Sequence, residues 1–235
     1  MESLNHFSLK PSAGGSFSFG WNKIFGKAFL PLLVAVIIVG ILNGPSGGAN
    51  WKLNGDHDFG PMLFLVPLAL FGMAYAFLFM PVIKYGENYL FLKAMRDEEA
   101  DLKLLFDGFK TKYLNIVLAN LIVVALVLIG FIMLIIPGII VLCRLSFVSF
   151  LVMDKDLDAM KAVEKSWQMT RGYGWTIFGM GIMSFFIVIG GIIVFIVGAI
   201  FSIMWIHAAF ASLYQAVLNQ MDDDNPIPIL GVNEE

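Results

Sequence analysis

Arg144 is the one charged side chain in an apolar run of 41 residues, 113–153. A charge at the centre of a membrane-spanning helix costs from about 2.5 kcal/mol upward, so such a residue is a functional hypothesis by default. A guanidinium there can snorkel to an interface or bond backbone carbonyls, or it can hold a lipid phosphate or another anion. Arg144 follows Pro137-Gly138 by six residues, ~9 Å along a helix at ~1.5 Å per residue, which puts the outer interface within its reach. His207 has the chemistry of a proton relay. No acid falls inside the expected spans to work with it, so it reads as a packed or helix-bonding histidine. Asp222-Asp223-Asp224 and Asp56/His57/Asp58 are ligand-type side chains, but the first lie on a loose tail and the second in a Gly-rich loop. Neither frame fixes the geometry a cation needs, so no metal or cofactor site is expected. There is no HExxH, no Gly-x-Ser-x-Gly and no phosphate-cradling Gly-Lys-Ser/Thr, and no catalytic residues are assigned. The chain reads as a non-enzyme.

The elements that must position these residues are membrane helices. Hydrophobic residues form 59% of the chain and charged ones 14%, against about 45–50% and about 25% in soluble domains. With a mean hydropathy of +0.82, the composition is that of a polytopic membrane protein. The net charge of −3 points to no nucleic-acid partner, and the single Cys143 removes any intrachain disulfide framework. The run 113–153 would reach ~61 Å as one helix, twice the ~30 Å hydrocarbon core. It must fold back, and Pro137 and Gly138 are the expected turn.

The pattern predicts an all-α bundle of about six transmembrane helices in one domain over 1–235, with spans near 24–42, 61–83, 114–134, 138–153, 175–196 and 198–218. Tails 1–15 and 219–235 read as flexible. Pro67 and Pro81 are expected to bend the second span. The last fold-back is placed near Val197-Gly198, where no polar turn marks it. Asn115 and Asn120 are expected as interhelical hydrogen-bond partners, and Gly179, Gly181 and Gly190-Gly191 as points of close approach.

Two amphipathic helices are expected at the cytoplasmic interface. The first follows Asp101, a plausible N-cap, with Leu102, Leu105, Phe106 and Phe109 on one face. The second sets Met160, Val163 and Trp167 against Lys161, Glu164, Lys165 and Gln168. Of 15 Lys and Arg, all but Lys52 and Arg144 fall on one side of this topology, which makes that side and both termini cytoplasmic. A faint echo links Phe19-Gly20-Trp21 to Tyr173-Gly174-Trp175.

The string Ile135-Ile136-Pro137-Gly138-Ile139, Arg144-Leu145-Ser146-Phe147, Asp154, then Ser166-Trp167, Thr170-Arg171-Gly172, Trp175 and Phe178 carries a resemblance. With Leu105-Phe106-Asp107-Gly108-Phe109 upstream, it resembles a broad group of uncharacterised prokaryotic integral membrane proteins. That group includes the membrane domain in front of some glycerophosphoryl diester phosphodiesterases. The resemblance covers roughly residues 80–215 and implies a six-helix domain in a prokaryotic cytoplasmic membrane. The catalytic phosphodiesterase domain has no counterpart in the chain, so catalysis does not carry over.

Three functional readings follow. The foremost is a non-enzymatic protein that contacts membrane lipids and takes part in membrane organisation, with room for a membrane or cytoplasmic protein partner. The second is a small transporter or channel for a lipid-like or anionic solute. The third is a membrane partner of a lipid-degrading enzyme. Arg144 is the lipid- or anion-binding candidate in the first two.

Overall fold

The computed structural model describes residues 10–43, 59–193 and 195–224. It is an all-helical bundle, with no strand among the described residues. Five helical runs there are long and apolar enough to cross a membrane: Pro67–Met95, Tyr113–Met133, Ile135–Asp154, Gly174–Ile193 and Val197–Met221. A bent pair brings the number to six. The loop that holds Asp56, His57 and Asp58 lies outside the described residues.

The bent pair is α1 (Ala13–Ile24) and α2 (Phe29–Asn43), which meet at 105°. Ser12 caps α1 by accepting from the Gly15 N–H at 3.2 Å. The break falls at Gly26, whose N–H bonds the Lys23 carbonyl and whose own carbonyl accepts from Phe29. α2 alone is ~22 Å long at ~1.5 Å per residue, short of a full crossing. The stretch from Ser16 is therefore a helix packed on protein, burying Ser16, Phe17, Gly20 and Ile24. The Gly20/Gly174 echo has no structural counterpart. A Cβ on Gly20 would meet the Ala208 and Ala209 backbone at 3.0–3.1 Å, whereas one on Gly174 would meet nothing.

The second run departs most from expectation. α3 (Phe59–Ala74) passes through a π-helical turn (Tyr75–Phe79) into α4 (Met80–Met95). Pro81 explains the wide turn: its ring crowds the carbonyl four residues back, and a π turn moves that carbonyl aside. The Met80 N–H reaches the Tyr75 carbonyl instead. α4 does not stop at Ile83, as hydropathy suggests, but continues to Met95. It buries Tyr85, Gly86, Glu87, Leu90, Phe91 and Leu92. Lys84 and Glu87 thus stand on a continuous helix of the bundle and not in a separate polar segment.

Asp101 bonds the Lys103 N–H at 3.0 Å and opens the turn before α5 (Leu104–Thr111). α5 lies on α4, with Leu105 fully buried. A Cβ on Gly86 would come within 2.6 Å of the Leu105 carbonyl, so only glycine lets the two backbones meet.

α6 (Tyr113–Met133) pairs with α7 (Ile135–Arg144). The chain reverses at Leu134, which is extended (φ −170°, ψ 159°), three residues before the expected Pro137-Gly138 turn. Pro137 sits in the first turn of α7, where its missing N–H has no helical carbonyl to bond. Gly138 serves close approach: a Cβ there would lie 2.6 Å from the Phe131 ring, and Gly130 faces it across the hairpin.

After a break at residues 145–147 comes α8 (Val148–Asp154), then α9 (Ala159–Met169). Asn115 donates to the Leu157 carbonyl at 2.8 Å and accepts from the Ala159 N–H at 2.6 Å, so it caps α9 from α6. α9 turns Ala159, Ala162, Val163, Ser166 and Met169 into the protein. Met160 and Trp167, expected on the same face as Val163, flank that stripe and stay exposed.

α10 (Gly174–Ile193) and α11 (Phe195–Asp224) close the bundle, and the fold-back falls between them, earlier than Val197-Gly198. Gly191 approaches the Gly198 carbonyl, where a Cβ would stand at 2.7 Å, but Gly179, Gly181 and Gly190 face open space. α11 runs on through Asp222-Asp223-Asp224, so the helix continues into the stretch read as a flexible tail.

Candidate functional site

A cleft of about 390 Å³ opens between the π turn and α4 on one side and α6 and α8 on the other. Its walls are apolar: Ala76, Phe77, Val123, Val124, Leu145 and Val148. Set into them are Lys84, Asn88, Asn120 and Ser149. The spacing on α4 produces this arrangement. Residues 84 and 88 are one turn apart and share a face, and the π turn beneath them lets that face look toward α6 and α8.

The polar groups are only partly engaged with one another. Asn88 donates to the Ser149 hydroxyl at 2.9 Å across the α4–α8 seam. Lys84 is exposed at the cleft and makes no hydrogen bond or ion pair with any described residue. Asn120, expected to bond another helix, faces the cleft instead. A cation, two amides and a hydroxyl between aliphatic walls suit an amphiphile, with an anionic or polar head on Lys84 and its neighbours and an apolar tail along the walls.

Arg144 lies elsewhere. It ends α7, and its guanidinium carbon stands 5.8 Å from the Trp167 ring centre on α9. The side chain therefore turns toward α9, not toward the α6–α7 turn and the interface beyond it. One guanidinium nitrogen is buried with no hydrogen bond among the described residues. The Arg144 backbone carries the interruption of the helix. Its carbonyl accepts from Ser166 at 2.8 Å and from Thr170 at 3.3 Å, while the Ser166 hydroxyl accepts from the Phe147 N–H at 3.3 Å. Residues four apart on α9 thus satisfy groups that the break at 145–147 sets free. The Ser-Trp-x-x-Thr spacing holds a broken helix together.

A second polar cluster ties three helices at one end of the bundle. Arg96 holds Asp154 in a fork at 2.5 and 2.9 Å and donates from Nε to Gln215 at 2.6 Å. Tyr214 donates to the same carboxylate at 3.0 Å. This joins the end of α4 to α8 and α11. Nearby on α1, Lys23 pairs with Asp97.

His207 faces α4, its ring centre 5.2 Å from that of Phe91. An acid does share a run able to cross a membrane, because Glu87, buried one turn before Phe91, lies within Pro67–Met95.

Lys84, Asn88, Ser149 and Glu87 were the residues sequence reasoning missed. For the three on α4 the signal was the absence of any proline, and of any glycine but Gly86, between Ile83 and Met95. Comparison with known proteins found no matching family, curated protein or solved structure.

Proposed function

We propose that this protein is a non-enzymatic, lipid-interacting component of a prokaryotic cytoplasmic membrane, with both termini cytoplasmic, and that it holds an anionic lipid in the cleft at Lys84. Its kinship with the membrane domain of glycerophosphoryl diester phosphodiesterases belongs to the same reading. The observation that carries it is the Lys84 ammonium, with no hydrogen bond or ion pair among the described residues, in a cleft it shares with Asn88 and Asn120 between apolar walls. Lipids supply both the anion and the tail such a cleft accepts, and a lysine near the membrane surface attracts anionic lipid by about 1 kcal/mol. Arg144, the earlier candidate, is engaged with Trp167 and α9 and leaves the headgroup to Lys84.

Native mass spectrometry of the protein released from nanodiscs of mixed phosphatidylglycerol and phosphatidylcholine tests this. Wild type and Arg144→Gln retain phosphatidylglycerol, and Lys84→Gln loses it. Equal retention in wild type and Lys84→Gln would sink the assignment.

The transporter reading is supported by one feature: the cleft is flanked by two interrupted helices, at 75–79 and at 145–147. Broken helices beside a site are the usual hinge points of transporters. Flux of anionic amphiphiles into proteoliposomes above that of empty vesicles would favour it, and equal flux would remove it.

A further inference from the structure

Lys84 and Asn88 line the cleft, and Glu87, three residues after Lys84 and one turn before Phe91, lies beside them on α4, which packs against α11. Glu87 is only 3% exposed and lies within a run able to cross a membrane. His207 on α11 packs its ring centre 5.2 Å from that of Phe91, one turn beyond Glu87, and its Nδ1 is buried without a hydrogen bond among the described residues. Burying a carboxylate and an imidazole together is costly, and packing alone would be served by uncharged residues. A buried carboxylate and an imidazole whose Nδ1 has no hydrogen bond among the described residues thus flank Phe91, one helical turn from the cation of the cleft.

We propose that Glu87 and His207 form a proton-binding site whose occupancy sets how tightly Lys84 holds an anionic headgroup. The inference rests on the cleft being a lipid site. Without the proton, the carboxylate three residues after Lys84 offsets part of the ammonium's field. A proton taken from solvent onto the carboxylate or the free Nδ1 raises the local charge by one, so an anion at Lys84 meets a stronger attraction. By linkage, the bound anion draws the proton in by the same factor.

The other groups facing this site are few. α2 and α6 bring no charged side chain, and the π turn and α6 bring only Tyr75 and Tyr113. Asp154 on α8 is bonded to Tyr214 on α11 and to Arg96, and Lys23 on α1 pairs with Asp97. α5 contributes Asp107 and Lys110, and α4 itself adds Tyr85, Tyr89 and Lys93. Asp222-Asp223-Asp224 stand at the far end of α11.

The test uses the full chain in nanodiscs at about pH 8 and about pH 4, which bracket the ordinary His and Glu values of ~6.5 and ~4.3. In phosphatidylglycerol–phosphatidylcholine discs, wild-type retention of phosphatidylglycerol rises on the order of five- to tenfold at the lower pH. Glu87→Gln loses that response and holds the lipid tightly at both values. In discs of phosphatidylcholine alone, infrared difference spectra on acidification show bands that vanish in Glu87→Gln and in His207→Gln. A full pH response in Glu87→Gln, or bands unchanged in both variants, overturns the proposal. Bands assigned to the pair with no phosphatidylglycerol held at either pH would leave the proton site standing and remove the lipid reading beneath the coupling. If Glu87→Gln does not fold, His207→Gln carries the same comparison.

Discussion

Replacing either partner of the Arg96–Asp154 fork should cost far more than replacing both. The two side chains are 19% and 7% exposed, so the charges are largely out of water. Asp154→Leu leaves the guanidinium without its counter-charge, and Arg96→Met leaves the carboxylate with Tyr214 alone. Removing one member of a buried pair costs about 3–5 kcal/mol, most of it the penalty of the stranded charge. In Arg96→Met/Asp154→Leu no charge is stranded. What remains is one hydrogen bond lost by each of Tyr214 and Gln215, about 1 kcal/mol apiece. The single variants together should therefore lose roughly 6–10 kcal/mol, and the double variant only about 2. A coupling energy above about 3 kcal/mol follows. Unfolding of the four proteins by denaturing detergent in mixed micelles measures it directly. If the double variant is as unstable as the sum of the singles, the cluster is not acting as a desolvated unit and the reasoning fails.

Other parts of the fold give similarly definite expectations. Gly86→Ala drives a methyl group into the Leu105 backbone, and overpacking of this kind costs about 1–3 kcal/mol; detergent unfolding should show it, together with faster proteolysis of α5. Ser166→Ala orphans the Phe147 N–H and one bond to the Arg144 carbonyl, a loss of about 1–3 kcal/mol, read as faster amide exchange at Phe147. The Lys103 backbone N–H, followed by the Lys103 side chain, holds the Asp101 carboxyl below its ordinary value. A depressed folded-state value gives stability that is present above the unfolded value and lost as pH falls through the folded one. The start of α5 should therefore fray in acid in wild type but not gain fraying in Asp101→Ala, as amide exchange at Lys103 and Leu104 would report.

Long apolar runs were the legible part of this chain. The Tyr113–Met133 helix lies where hydropathy puts it, because nothing but apolar periodicity decides its limits. The run through Lys84 and Glu87 was not legible. Window hydropathy counts those side chains as solvent-seeking, while the bundle supplies a cleft for one and a histidine for the other. The Pro137-Gly138 dipeptide signalled a turn correctly but not its position. Proline in a first helical turn and glycine at a close contact use the same two residues for different reasons. Arg144 stood out as a charge among apolar neighbours, yet its partner Trp167 is 23 residues away on a helix read as a separate interfacial element. The Arg96, Asp154, Tyr214 and Gln215 cluster joins residues up to 119 apart, and no local pattern announces such a contact.

The most direct test of the lipid reading is photocrosslinking from inside the cleft. A benzophenone amino acid at Val123, irradiated in phosphatidylglycerol–phosphatidylcholine nanodiscs, should yield a protein adduct with the mass of one phosphatidylglycerol. The same label in a Lys84→Gln background should lose most of it. An adduct of equal yield with and without Lys84, or one drawn from both lipids in proportion to their supply, would contradict a headgroup site in the cleft.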